Sequence, residues 1–92
     1  MSAQDLREAV AWGCRILAMG GHVDMTLGHL SGSGQDGRIF IKRKGLSLGE
    51  VTPNDVIVID LDGAVLEGAG EPHLETTLHT EVYRARPDVG AV

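Results

Sequence analysis

The sequence predicts an α/β fold in which a largely antiparallel central sheet is flanked by helices. Three observations carry that prediction. An amphipathic helical run opens the chain, short β-branched runs joined by turn signals fill its middle, and a second helical run begins after Pro72. Helix, strands, helix and a final apolar run, with one clear hairpin, make the pattern of layers packed around a shared core. The 92 residues hold one domain's worth of chain. A domain of that size buries roughly 60–68% of its unfolded surface, enough for a small core.

The first helix is expected over about residues 3–19. Ser2 stands as N-cap with Asp5 three residues on, and Gly20-Gly21 ends the run. Leu6, Val10, Gly13, Cys14 and Leu17 recur at helical spacing, with Ala9 and Ile16 beside them and Trp12 at the edge. Residues 22–37 show no sustained period. Their glycines, hydroxyls, His22, Asp24 and His29 suit either a plain connector or a loop bringing backbone N–H groups to an anion. A short strand fits within Thr26–Ser31, and Gln35-Asp36-Gly37 reads as a turn. Arg38–Lys42 is a strand. Thr52-Pro53-Asn54-Asp55 is one capped helical turn, and Val56–Leu61 is a strand buried on both faces. Asp62-Gly63 turns it back into Ala64–Glu67, with Asp60 and Asp62 as turn residues.

The second helix is expected over about residues 73–86, halted by Pro87. Leu74, Leu78, Val82 and Ala85 form the stripe expected to face the sheet. Glu75, His79, Tyr83 and Arg86 form a second stripe bordering a cleft at the helix start. Val89–Val92 reads as the first half of a buried strand.

Composition removes several classes of function. A net charge of −5 argues against nucleic-acid binding through a broad basic face, and gives no attraction to anionic membranes. No apolar segment approaches the span of about 20 residues that a bilayer needs, and no signal peptide opens the chain. Cys14 stands alone, which makes a reducing cytoplasm the expectation and, on the core face of a helix, an inert thiol. No Gly-x-Gly-x-x-Gly or Walker-type loop is present.

Two features point to chemistry. Arg38, Lys42, Arg43 and Lys44 hold half of the eight basic side chains. They suit either a solvated strand edge or an anion-binding loop, with Gly45 permitting close approach. Glu75 falls in the first turn of its helix, where the dipole favours a carboxylate. Beside a divalent metal the same group serves as ligand or general base. Glu75 and His79, four residues apart, can reach one site. Two such residues are short of the three protein ligands of a catalytic zinc, so no complete metal site is expected within these residues.

Four stretches, in order, carry a family resemblance. Gly28-His29-Leu30-Ser31 is similar to a Gly-Asn-x-Ser loop, and Ile41-Lys42-Arg43-Lys44-Gly45 stands where aldolases have Thr-Pro-Ser-Gly. Leu48–Gly63 looks like the segment that follows it. Pro72-His73-Leu74-Glu75 with Leu78-His79, Tyr83 and Arg86-Pro87-Asp88-Val89 is similar to a Pro-Ser-Ser-Glu helix and its exit. Together they resemble the amino-terminal part of the class II aldolase and adducin amino-terminal domain family, over nearly the whole of residues 1–92.

The resemblance implies a class II aldolase-like layered fold assembled into homotetramers, and a lyase of carbohydrate metabolism. Zinc or another divalent metal in the full-length protein would stabilise an enediolate during aldol cleavage, epimerisation or decarboxylation of a sugar phosphate or sugar acid. It makes Glu75 the acid/base carboxylate, able also to approach the metal. His29, Ser31, Lys44 and Gly45 become the substrate- and phosphate-binding residues. A glutamate at position 75 leans toward aldolase or decarboxylase chemistry. His29 in place of Asn, Lys44 in place of Ser, and His73-Leu74 in place of Ser-Ser remove hydroxyl donors. Lys42, Arg43 and Lys44 then compensate with charge, or the substrate is a carboxylate. The family's His-x-His metal motif follows the stretch matching Val89–Val92, so the histidine ligands lie outside these residues and the 92-residue chain alone is expected to be inactive. The alternative is a non-enzymatic, adducin-like assembly module.

Overall fold

The computed structural model describes residues 2–21, 28–73 and 75–92. Helix α1 spans Ala3–Met19, as the capping pattern predicts. The Ser2 hydroxyl accepts from the Asp5 N–H at 3.1 Å, and Asp5 accepts in return from the Ser2 N–H at 3.4 Å. Two of the donors that a helix start leaves open are thereby satisfied. Val10, Ala11 and Cys14 are buried, with Leu6, Leu17 and Ala18 packed around them. The buried stripe is narrower than expected. Ala9 and Ile16 face outward, and Trp12 lies on the surface with the Arg15 guanidinium 5.2 Å from its ring.

Four antiparallel strands follow, in spatial order equal to chain order: β1 (Ser31–Ser33), β2 (Ile39–Lys42), β3 (Val56–Ile59) and β4 (Val65–Glu67). β1 begins where the expected Thr26–Ser31 strand ends; Thr26 and Leu27 lie outside the described residues. Ile41 pairs with Ser31 on one side and Ile57 on the other. Side chains alternate across a strand. Phe40, Val56 and Val58 therefore face α1, while Ile39, Ile41, Ile57 and Ile59 build a second core on the opposite face. Each fully buried aliphatic side chain contributes about 1.5–3 kcal/mol relative to exposure. The hairpin forms, but β3 ends at Ile59 rather than Leu61 and the turn centres on Leu61-Asp62: the Gly63 N–H donates to the Asp60 carbonyl at 3.0 Å, Gly63 takes a φ of 87°, and Asp60 Oδ1 accepts from the N–H groups of Asp62 and Ala64 at 2.9 Å.

The solvated-edge reading of Arg38–Lys44 is corrected. β2 lies between β1 and β3, and Lys42 is fully buried on the α1 side near Cys14. Its ammonium donates to the Leu46 carbonyl at 2.6 Å and the Arg43 carbonyl at 3.4 Å, pinning the loop after β2. Burial lowers its pKa, because the charged form is the one that loses hydration. Arg38 pairs with Glu67, Arg43 with Asp55 and Lys44 with Glu71. The four cations thus serve separate partners.

Helix α2 runs Thr76–Ala85, later than expected, so Glu75 is its N-cap position rather than part of its first turn. Its orientation is the larger correction. Thr76, His79, Thr80 and Tyr83 are buried, while Leu78 is 56% exposed and Ala85 faces outward. Leu74, assigned to the same apolar stripe, lies outside the described residues. After Pro87 the chain returns to β1. Gly32 and Ala91 form an antiparallel bridge, and Ser31 exchanges backbone hydrogen bonds with Val92 at 2.8 and 3.1 Å. No helix among the described residues is long and apolar enough to cross a membrane.

Candidate functional site

The site grows where the buried face of α2 meets the start of β1. Tyr83 and His79 lie four residues apart on α2 and point the same way. Both reach Ser31. The Ser31 hydroxyl is 2.8 Å from the Tyr83 hydroxyl and 2.7 Å from His79 Nδ1. The other nitrogen of His79, Nε2, is 2.7 Å from Nδ1 of His29. Three hydrogen bonds between residues 48–52 apart in sequence therefore join these four side chains into one line. Burial pushes the Tyr83 phenol up and His79 down to about 4, so both are neutral near pH 7.

At the outer end of this line the His29 and His73 rings lie 5.9 Å apart, tilted by 50°. His73 is buried in the turn before α2, where its carbonyl accepts from the Thr76 N–H at 3.1 Å. Burial is the main force holding His73 down at about 4, and the charges of Lys42, His29 and Lys44 add to it while Glu75 opposes them. Two buried polar atoms in this region, His73 Nε2 and Thr76 Oγ1, have no hydrogen-bond partner among the described residues. An orphaned buried polar atom costs about 1–3 kcal/mol. Such atoms mark either strain or a place kept for something else.

The expected site residues separate into two groups. His29, half-buried, and Glu75, exposed, stand at the surface of the cluster. Lys44 is exposed, and Gly45 takes a φ of 99°, a conformation that a side chain rarely adopts. Ser31, expected to touch substrate, is fully buried with its hydroxyl taken by His79 and Tyr83, which places it behind His29. The expectation that Glu75 and His79 reach one site is corrected as well. Both nitrogens of His79 are occupied by protein, and Glu75 lies outside that line. Sequence reasoning missed Thr76 and gave Tyr83 no role beyond its stripe. The stripe at positions 75, 79 and 83 was the available signal, but nothing local shows that it turns inward onto β1. His22 lies outside the described residues.

A divalent cation tests this donor set directly. No group of three His, Cys, Asp or Glu side chains able to hold a metal occurs among the described residues. His29 Nδ1 and both nitrogens of His79 are spent on one another and on Ser31, which leaves His29 Nε2, His73 Nε2 and the exposed carboxylate of Glu75 outside that line. These residues do not make a metal centre by themselves. Cys14 is no candidate either, because burial pushes its thiol up to about 11.

The surrounding scaffold is shared with known proteins. Residues 1–92 are 44% identical over 72 residues to a methylthioribulose-1-phosphate dehydratase of Gluconacetobacter diazotrophicus, covering 78% of this chain and 35% of that protein. Identity is 37% over 94 residues to a 3,4-dihydroxyphthalate decarboxylase of Arthrobacter keyseri, covering 94% of this chain and 38% of the relative. The crystal structure of YgbL from Klebsiella pneumoniae, a putative aldolase/epimerase/decarboxylase, superposes with a TM-score of 0.89 at 31% identity over 99% of this chain and 44% of that one. The chain thus spans less than half the length of the relatives it matches. The profile of the class II aldolase and adducin N-terminal domain matches residues 8–92, and the chain belongs to that family.

Proposed function

We propose that residues 1–92 supply the substrate-anion site and the acid/base carboxylate of a lyase acting on a phosphorylated sugar or a related acid. The observation that carries this reading is the 5.9 Å approach of the His29 and His73 rings in the turn that ends at Glu75, the N-cap of α2, where His73 Nε2 and Thr76 Oγ1 are buried without partners among the described residues. The relatives support the class of chemistry: one is named as a sugar-phosphate dehydratase, the other as an aromatic acid decarboxylase.

In this reading His29 and His73 offer N–H groups to anionic oxygens. His73 does so without charge, since its depressed pKa keeps it neutral at pH 7. Lys44 adds positive charge at the rim, and Gly45 allows the backbone to approach closely. Glu75, exposed beside His73, takes or gives the proton at the carbon next to the carbonyl. General acid/base transfer of that kind contributes about 10²–10⁴-fold to rate. A divalent metal, zinc or another, belongs to this reading as a property of the family. The described residues hold no group of three ligating side chains for it, and no step is assigned to it.

The test presents the purified protein, in its natural full length, with methylthioribulose 1-phosphate and 3,4-dihydroxyphthalate while product is followed. Glu75→Gln is expected to lower kcat by at least about 100-fold with little change in KM. Unchanged turnover in Glu75→Gln removes the acid/base assignment. An assembly role would instead use the exposed apolar side chains Trp12, Ile16 and Met19 of α1. Homo-oligomer formation that disappears in Ile16→Glu, measured by sedimentation, would favour it. A cytoplasmic location suits the single buried thiol.

A further inference from the structure

We propose that Tyr83, Ser31 and His79 are positioning residues that lock the neutral ring of His29 into its Nε2–H tautomer, so that His29 meets the site as a hydrogen-bond donor and never as a lone pair. The inference follows from counting hydrogens along the buried line. Tyr83 is 5% exposed, and among the described residues its hydroxyl has two partners, the Ser31 oxygen at 2.8 Å and the backbone of Val92, which lowers the phenol's pKa as an N–H donor does and so offers its proton no acceptor. A buried phenol that did not donate there would leave its proton unpaired, so Tyr83 donates to Ser31.

Ser31 is fully buried, and its own proton then has one remaining acceptor, Nδ1 of His79 at 2.7 Å. His79 Nδ1 must therefore be bare. A neutral imidazole carries one hydrogen, so that of His79 sits on Nε2 and points at His29 Nδ1, 2.7 Å away. Nδ1 of His29 is the acceptor, and its hydrogen resides on Nε2. Burial of His79 supports the same assignment, because it keeps the ring neutral well below pH 7. The reverse polarity would run from His29 to Tyr83 and leave a phenol proton without an acceptor among the described residues.

The consequence deepens the proposed function and rests on it. An Nε2–H aimed at the substrate side selects an anionic oxygen, a phosphate or carboxylate, over a cation or a proton to be abstracted. It also explains why a serine that cannot reach substrate stands two residues from His29. Its hydroxyl fixes which nitrogen of a neighbouring ring carries hydrogen, much as an outer partner fixes a metal-bound histidine.

Long-range ¹H–¹⁵N correlation spectra of the uniformly labelled full chain at pH 7.5 read each histidine's tautomer. The expected result is Nε2 protonation of both His79 and His29. Protonation of His29 at Nδ1, or an averaged mixture, overturns the proposal without any variant. Ser31→Ala removes the donor to His79 Nδ1, and both rings are then expected to shift to averaged patterns. If both rings of folded Ser31→Ala keep the wild-type pattern, the lock is refuted; should that variant not fold, the wild-type spectrum decides alone. Titration with inorganic phosphate separates this from the underlying functional reading. The wild-type His29 Nε2 signal should move on binding, and Ser31→Ala should weaken phosphate by about tenfold, one hydrogen bond to a charged group. A locked Nε2–H that ignores phosphate leaves the positioning role standing and removes the anion site.

Discussion

The two helices meet the same sheet by opposite means. α1 presents Val10, Ala11 and Cys14 to Phe40, Leu48, Val51, Val56 and Val58, an interface of apolar side chains. α2 presents Thr76, His79, Thr80 and Tyr83, and only Tyr83 joins the isoleucine core. α2 is held instead by the Ser31 line and, at its far end, by Arg84, which donates to the Leu61 carbonyl at 2.8 Å and to Asp62. Burying polar groups is tolerable only while each finds a partner. α1 is therefore the helix that stabilises through apolar burial, and α2 the helix that buries polar groups around the candidate site. Local opening should start at α2, since elements with few buried apolar contacts exchange first. Amide exchange slower in α2 than in α1 would break the contrast.

The largest effect belongs to the α1 face. Phe40 is 4% exposed, lies under α1 and carries the Arg7 guanidinium 5.8 Å from its ring. Phe40→Ala should cost about 3–5 kcal/mol in urea unfolding, the lost transfer energy plus a cavity. A loss below about 1 kcal/mol would mean that this face collapses freely and is not the packed half.

The α2 face should show itself through pH. His79 has an ordinary pKa of 6.5 and is held near 4 in the folded chain by burial. Between those values the unfolded chain takes up a proton that the folded chain refuses, so stability falls as pH drops from 6.5 toward 4. Above 6.5 both states are neutral and the contribution is flat. Each such histidine gives a slope of about 1.4 kcal/mol per pH unit. His73 is depressed to a similar degree. His79→Leu should thus halve the acid slope, and should cost about 1–3 kcal/mol at pH 7 through the partners left behind at His29 and Ser31. Urea midpoints at pH 7.5, 6 and 5 check both. An unchanged slope would show that His79 is already protonated in the folded state.

How much of this was legible follows the same division. Everything on the α1 side is local pattern: the Ser2–Asp5 cap and the helical spacing of Leu6 through Leu17 formed as read, while the strand read as Val56–Leu61 ends at Ile59 and its hairpin turns on Leu61-Asp62, one residue before the expected Asp62-Gly63 pair. The family was legible too, from short motifs in order. The α2 face was not, because a hydrophobic stripe is a vote on burial that a hydrogen-bonded partner can overrule. Leu78, Val82 and Ala85 had the period, but Ser31, 48 residues before His79, had the acceptor and donor. An exposed leucine is cheap, whereas an unpaired buried histidine is not. Lys42 misled for a related reason. Its charge suggested an edge, and only the fold reveals the Leu46 carbonyl that receives it in the interior.

Thr76 sharpens the claim that α2 buries polar groups around the candidate site. Its Oγ1 is buried without a partner among the described residues. Thr76→Val keeps the shape and deletes the orphan, so it should stabilise the chain by about 1 kcal/mol. Most core substitutions do the reverse. If the hydroxyl is kept for a ligand, the same variant should bind phosphate less well. A destabilised Thr76→Val would mean that the hydroxyl has a partner after all.

The smallest effect is the most direct comparison. Leu78 and Val10 are both aliphatic residues at periodic positions of amphipathic helices, and a sequence-level reading assigns both to the core. Val10 is 3% exposed and Leu78 56%. Val10→Ser should be severely destabilising, because it opens a cavity and buries a hydroxyl among Cys14, Phe40 and Val58. Leu78→Ser should stay within about 0.5 kcal/mol, as surface substitutions do. The pair needs no active-site assumption and is read by thermal or urea unfolding alone. A large loss at Leu78 would mean that the apolar stripe of α2 is covered in solution, by another copy or by another part of the protein, and would turn that stripe from a misleading pattern into an interface.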